Sequence, residues 1–184
     1  MPPPPTSDRL VAEEPSVEAH AAFFETLFGD PEVSRWHWPD AAGGTDPAKM
    51  ESPLAILESN VAKQARNGYS FWVWRERESG DPVARVGLGP VTIEGEELVE
   101  VGWSVPSDLQ GRGYASEAAI ASMAWGFENL GLEKIVAFTM VENDASQAVM
   151  RKIGMDYVRD FTWAELPHVL YEAQAAKTNT RKAT

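Results

Sequence analysis

Apolar positions along this chain follow two rhythms, and the switches between them delimit its elements. Short runs rich in Val, Ile, Trp and Phe read as strands: Arg9 to Ala12, Tyr69 to Arg75, Val83 to Ile93, Leu98 to Val105, Ile135 to Met140, and a closing antiparallel pair, Met155 to Trp163 and Val169 to Ala173, around Pro167. Helical spacing fills the intervals. Ala19, Phe23 and Leu27 share a face of a helix capped near Ser16 and stopped by Gly29, Asp30 and Pro31; a second helix starts at Pro47 or Pro53 and runs to Arg66. Ala119, Ile120, Met123 and Phe127 line a third that Gly131 closes, and Asn143 or Asp144 caps a last one ending near Gly154. Ser79 to Asp81 and Glu94 to Glu97 read as hairpin turns, and Trp36 to Pro39 with Gly43 and Gly44 as irregular chain. This order, without internal repeats, predicts one α/β (α+β) domain with a mixed sheet.

The segment from Glu100 to Glu117 carries the most chemistry, because an apolar strand runs into a glycine-rich turn that opens onto a helix. Gly111 and Gly113 tolerate backbone angles other residues avoid, so the amides of Gly111, Arg112, Gly113, Tyr114, Ala115 and Ser116 are able to converge on an anion such as a pyrophosphate at the positive end of the helix. A plain tight connection with solvated amides is the other reading. A P-loop is excluded, since the spacing and the Gly-Lys-Ser/Thr are absent. A Rossmann fingerprint would need a Gly or Ala where Ser116 stands, and too little chain follows the turn to complete a doubly wound sheet.

What remains is the pattern Gln/Arg-x-x-Gly-x-Gly/Ala, met by Gln110, Gly113 and Ala115. Here the chain resembles the GNAT acyltransferases, whose turn of this form holds the pyrophosphate of acetyl-coenzyme A (acetyl-CoA). Glu142 to Ser146 and Lys152 to Met155 resemble the second half of that fold, and Asp8 to Val11 with Gly29 to Arg35 resemble its RimJ/RimL branch of ribosomal-protein N-terminal acetyltransferases. The resemblance implies a GNAT-like domain over residues 8–174, between a flexible or extended proline-rich leader (1–7) and a disordered basic tail (175–184). It further implies a mostly antiparallel sheet whose central strands, Leu98 to Val105 and Ile135 to Met140, splay apart. The backbone of Trp103, Ser104 and Val105 would then pair with the pantetheine arm, and one of those N–H groups would polarise the thioester carbonyl.

Composition narrows the partners. With 184 residues, 43% of them apolar, the chain can bury a substantial core. No apolar run approaches a membrane span, and the Met1-Pro-Pro-Pro-Pro start lacks the basic and apolar parts of a secretory signal. The net charge of −12 argues against nucleic acid and suits cationic partners such as amines and basic peptides, or serves solubility alone. The absence of cysteine excludes disulfides and a thiol nucleophile and is compatible with a cytoplasmic protein; no metal-ligand spacing is present. A homodimer through sheet edges is compatible with the pattern.

Acetyl transfer to an amine needs a base for the ammonium proton and a proton for the departing thiolate. Strand alternation puts Glu100, Gly102 and Ser104 on one face and Val101, Trp103 and Val105 on the other. Glu100 is the candidate base, or else an ion-pair partner of Arg85. The tyrosine that many GNAT relatives place seven residues after the helix Asn is Met150 here, so the resemblance transfers the acid role to Ser146 instead. Ser146 has a local backbone bond as its alternative, and Asn143 either bonds a pantetheine carbonyl, caps its helix, or does both. Arg112 adds charge to the phosphates or is solvated; Tyr114 packs; Gln110 stabilises the turn. Trp36, His37, Trp38 and Trp72 are the candidate acceptor pocket, with core packing the competing role for Trp72. The expected activity is N-acetyl transfer from acetyl-CoA to a primary amine, on a small molecule or a peptide N-terminus. The alternative is a catalytically silent CoA-binding sensor or scaffold.

Overall fold

The computed structural model describes residues 2–38 and 48–175. In chain order these form β1 (Leu10–Glu13), α1 (Val17–Gly29), α2 (Pro31–His37), α3 (Pro53–Asn67), β2 (Phe71–Glu76), β3 (Pro82–Ile93), β4 (Glu96–Ser104), a 3-10 turn (Ser107–Leu109), α4 (Tyr114–Leu130), β5 (Lys134–Met140), α5 (Asp144–Lys152), β6 (Asp156–Trp163) and β7 (Leu166–Gln174). The strands make one sheet in the order β1-β2-β3-β4-β5-β7-β6, antiparallel everywhere except at the β4–β5 junction. The Gly43 and Gly44 stretch, Pro47 as a helix start, and residues 176–184 of the tail lie outside the described residues.

Local chemistry places three boundaries differently from the periodicity. Gly29 to Pro31 ends α1 but also opens α2: the Asp30 carboxylate accepts from the Glu32 N–H at 2.9 Å, and Pro31 takes the first helical position, where its missing N–H has no partner to lose. Trp36 and His37 therefore ride on a helix, not on irregular chain. The β3–β4 turn is Glu94–Gly95 alone, with φ of 50° and 88°, a two-residue turn matched to strand twist. The last hairpin turns at Ala164 and Glu165, again at positive φ, so Pro167 lies inside β7 opposite Thr162.

Both sheet faces are covered, but not evenly. α4 and α5 close one face over the largest core, in which Trp72, Trp74, Val86, Leu88 and Val101 meet Ala119, Met123 and Met150. Ile120, which helical spacing assigned to that face, is 42% exposed; Ala118, Ser122 and Gly126 occupy the buried arc instead. On the other face α1, α2 and α3 pack Phe23, Phe24, Leu27, Phe28, Val33 and Leu57 onto Val73 of β2. Ala19 is exposed, and His20 is buried there, bonded to Glu13. A smaller cluster of Ile93, Val136, Phe161 and Leu170 covers the β5–β7 end. Between these two groups the middle of β3 and β4 is left open.

Residues 2–7 are held against α4: the Trp125 indole N–H donates to the Pro3 carbonyl at 2.8 Å, and the Ser7 hydroxyl donates to Glu117 at 2.7 Å. No helix among the described residues is long and apolar enough to cross a membrane.

Two glycines separate backbone from side-chain crowding. A methyl group at Gly87 would run into the Ser70 carbonyl and the Phe71 Cα, whereas one at Gly126 would meet the flexible ends of Leu88 and Ile135. Gly87→Ala is expected to cost about 3 kcal/mol of stability, and Gly126→Ala, which gains helix propensity, less than about 1 kcal/mol; urea unfolding of both variants checks this.

Candidate active site

The β4–β5 junction is the origin of the site. These strands run parallel and share a single register pair, Glu100 with Val136, beyond which they part. The peptide groups of Val101 to Ser104 that would face β5 are thereby left without a strand partner. Two cavities, of about 370 Å³ and about 390 Å³, open beside this seam and share Trp36, His37, Trp103, Asn143 and Ser146 as common wall.

The first cavity lies between α2, α4 and α5, and the glycine turn forms its far end. Gly111 (φ 77°) and Gly113 (φ 86°) both take left-handed angles, and Gly113 caps α4 without a side chain. The first helical amide to find a carbonyl is that of Glu117, which donates to Gly113 at 3.0 Å. None of the amides from Gly111 to Ser116 has an acceptor among the described residues. They stand at the positive end of a 17-residue helix and border the cavity through Gly111, Gly113, Tyr114, Ala115 and Ser116. Such an array fits a pyrophosphate. Gln110 braces it by donating to the Val105 carbonyl at 3.1 Å, which ties the turn to the end of β4. The Arg112 side chain bonds the Asp108 carbonyl and does not line the cavity. Tyr114 packs its ring in the core and donates its hydroxyl to Glu76 at 2.6 Å.

α5 supplies the opposite wall. Asn143 caps it, accepting from the Ser146 N–H at 3.1 Å, while its own Nδ2 finds no acceptor among the described residues. The Ser146 hydroxyl is likewise unpartnered and reaches both cavities. Met150 is buried at the base of the second cavity.

α2 closes the seam from the other side and is pinned at both ends to the chain leaving β4. Asp30 accepts from the Ser107 N–H at 3.1 Å, and the His37 Nε2 lies 2.9 Å from the Ser104 hydroxyl. His37 presents its surface to the cavities, yet desolvation by the surrounding protein, with the Arg85 guanidinium nearby, holds its pKa down to about 3. It is therefore neutral near pH 7.

Glu100 occupies the second cavity on the face it shares with Gly102 and Ser104. Burial pushes its carboxyl up to about 7, against the pull of Arg85 and Lys63. No ion pair with Arg85 forms within 4 Å among the described residues, so the carboxylate is not occupied by that partner. A carboxyl poised near neutrality beside an open cavity can take up or release a proton there.

The structure thus brings together Glu100, Trp103, Ser104, Val105, the 110–116 turn, Asn143, Ser146, Trp36, His37 and Trp38. It does not bring in Trp72, which is fully buried on the α4 face with its ring 5.1 Å from that of Trp125. His168 stands in β7 opposite Met140 and lines the second cavity with Phe138 and Trp163. Sequence reading passed over Phe71, Gly87, Gly89, Phe138 and Trp163, and weighed Arg85 only as an ion-pair partner. The strand alternation that grouped Glu100, Gly102 and Ser104 would have grouped Arg85, Gly87 and Gly89, had the hairpin register been known. No group of three or more His, Asp or Glu among the described residues is placed to hold a metal ion.

The chain is similar to known proteins over most of its length. Over 155 residues the chain is 28% identical to the Bacillus subtilis protein YkkB, covering 84% of this chain and 86% of that one. An acetyltransferase from Agrobacterium tumefaciens superposes with a TM-score of 0.75 at 24% identity, over 95% of each chain. Mycobacterium smegmatis RimJ, solved in complex with CoA-disulfide, superposes with a TM-score of 0.69 at 20% identity, over 94% of this chain and 88% of RimJ. The acetyltransferase (GNAT) domain family matches residues 9–156, four-fifths of the sequence, and with that match the protein belongs to the GNAT acetyltransferases, acyltransferases that use acetyl-CoA.

Proposed function

We propose that this protein is an N-acetyltransferase of the RimJ/RimL-like branch. It moves the acetyl group of acetyl-CoA to the primary amine of a small molecule or peptide N-terminus by direct attack, without a covalent enzyme intermediate. The observation that carries this reading is the pairing of six unsatisfied amides at a helix N-terminus with an open strand seam that holds a near-neutral carboxyl. The likeness to RimJ supports the branch.

In this reading the Gly111 to Ser116 amides bind the pyrophosphate, and the exposed edge of β4 at Trp103 and Ser104, continued by Val105, takes the pantetheine arm as a surrogate strand. The Asn143 Nδ2 donates to a pantetheine carbonyl while Oδ1 keeps the helix capped. A β4 N–H polarises the thioester carbonyl, Glu100 receives the amine proton directly or through water, and the Ser146 hydroxyl gives a proton to the departing thiolate. Neutral His37 orients the Ser104 hydroxyl and thereby holds α2 against the cleft. The functional unit spans residues 8–174 in a cytoplasmic protein. The free edge of β6, which exposes Tyr157 and Val158, is where a second copy would pair in a homodimer.

The ionised Glu100 is the active form, so kcat/KM should fall as pH drops through about 7. Glu100→Gln should remove that limb and lower kcat/KM roughly 10²–10⁴-fold above it; steady-state thiol release across pH 5.5–9 with a panel of amines, pH values being set by the experimenter at about these limits, measures both. CoA binding without turnover on any amine, with Glu100→Gln and Ser146→Ala indistinguishable from the parent, would instead identify a silent CoA-binding protein. Gly113 sits at φ 86°, where a side chain strains the backbone. Gly113→Ala is therefore expected to weaken CoA binding about 10-fold, read by calorimetric titration.

A further inference from the structure

Arg85 has no task in the acetyl transfer described above, and its surroundings call for one. It is only 7% exposed. The guanidinium stacks on Phe71, 4.0 Å from the ring centroid, and its Nη2 donates to the Asn60 side chain at 3.2 Å. Its Nε is buried with no partner, and no carboxylate lies within 4 Å among the described residues. Nη1 also makes no hydrogen bond among the described residues, yet it is not sealed off like Nε, and Arg85 lines the second cavity. Glu100 acts on it only through space, and a buried cation with donors left over and no contacting counterion among the described residues is costly unless something else supplies the negative charge.

The hairpin register shows where that charge would sit. Along one face the cross-strand pairs are Arg85 with Ser104, Gly87 with Gly102, and Gly89 with Glu100. Arg85 and Glu100 thus rise from opposite ends of a glycine floor, their Cα positions separated by four residues, on the order of 13 Å. The Phe71 ring lies on that floor, close against Gly89 and Gly102, with a Glu100 carboxylate oxygen beside it over Gly89 and the Ser70–Phe71 backbone over Gly87. The gap suits a molecule that carries an amine at one end and an anion at the other. Lining charge agrees with this: in a protein of net charge −12, the described wall of the cavity carries Lys63 and Arg85 beside Glu100, its single described carboxylate. One side of the wall is apolar, where Phe138 and Trp163 are 5.1 Å apart between centroids, and Thr139, Asn143, Ser146 and His168 make the polar remainder.

We infer that the acceptor is an amino carboxylate of amino-acid type with an apolar remainder, its carboxylate bound by Arg85 and its amine placed at Glu100. The inference rests on the acetyl-transfer reading and selects among its acceptors, since an internal peptide carbonyl next to an N-terminal amine carries no charge for Arg85 to bind.

Matched pairs test it: L-phenylalanine, L-leucine and L-methionine, each against its own carboxamide, as acceptors with saturating acetyl-CoA. The acids should be preferred roughly 10–100-fold in kcat/KM, mostly through KM. In Arg85→Met the ratio should collapse towards 1, and Arg85→Lys should retain part of it; CoA affinity and thermal melting report whether each variant is folded. Equal use of acid and amide by the parent enzyme, or preference for the amide, overturns the assignment whatever the variants do. If no acceptor is acetylated, the acetyl-transfer reading fails separately, and calorimetric titration of the CoA-loaded protein with the same pairs decides the Arg85 question. Tighter binding of the acid supports it, and equal or absent binding refutes it.

Discussion

The separation of β4 from β5 is the constraint on which the rest of this molecule depends. In a sheet that is otherwise antiparallel, these neighbours are joined through α4 and so run parallel, and they hold one register pair before diverging. A strand edge opened inside a protein leaves donors and acceptors that must find partners. Here they face a cleft walled by α2, α4 and α5, where a ligand backbone is able to supply them. The glycine turn, Asn143 and Ser146 are all placed relative to that opening, because each sits at the start of the helix that follows β4 or β5.

The two faces of the same strands then divide the labour. Val101 and Leu88 look towards α4 and bind the sheet to its main core, while Glu100, Gly102, Gly87 and Gly89 look the other way and make a floor with almost no side chains. Removing side chains from the floor gives Phe71 room to lie flat and carry Arg85. It also leaves Glu100 in protein surroundings without an ion-pair partner among the described residues, and burial dominates its acidity for that reason. The core and the open floor are in this way made by alternate residues of one hairpin.

α2 shows how a short helix acquires a role from its ends. Seven residues are too few to be stable alone. Asp30 caps the first turn and bonds Ser107, and His37 in the last turn meets Ser104, so both termini are anchored to the chain leaving β4. Between them Val33 packs against the α1–α3 layer, and Trp36 is left facing the two cavities.

Much of this was legible in the residues themselves. Period-two alternation identified β3, β4 and β5 and put Glu100, Gly102 and Ser104 on one face, and Gly111 with Gly113 marked the turn because positive φ is local chemistry. The cap at Asn143 was legible for the same reason. What depends on contacts distant in sequence was not. The register that sets Arg85 against Ser104 follows from a turn of two residues where four were read. Trp72 and Trp36 are both large aromatics, and only the packing of α4 against one face sends the first into the core and leaves the second at the cleft. Local propensity speaks for a residue's own backbone, whereas the divergence of β4 from β5, the lack of a contacting carboxylate for Arg85 among the described residues and the acidity of Glu100 arise from segments brought together only when the whole sheet closes.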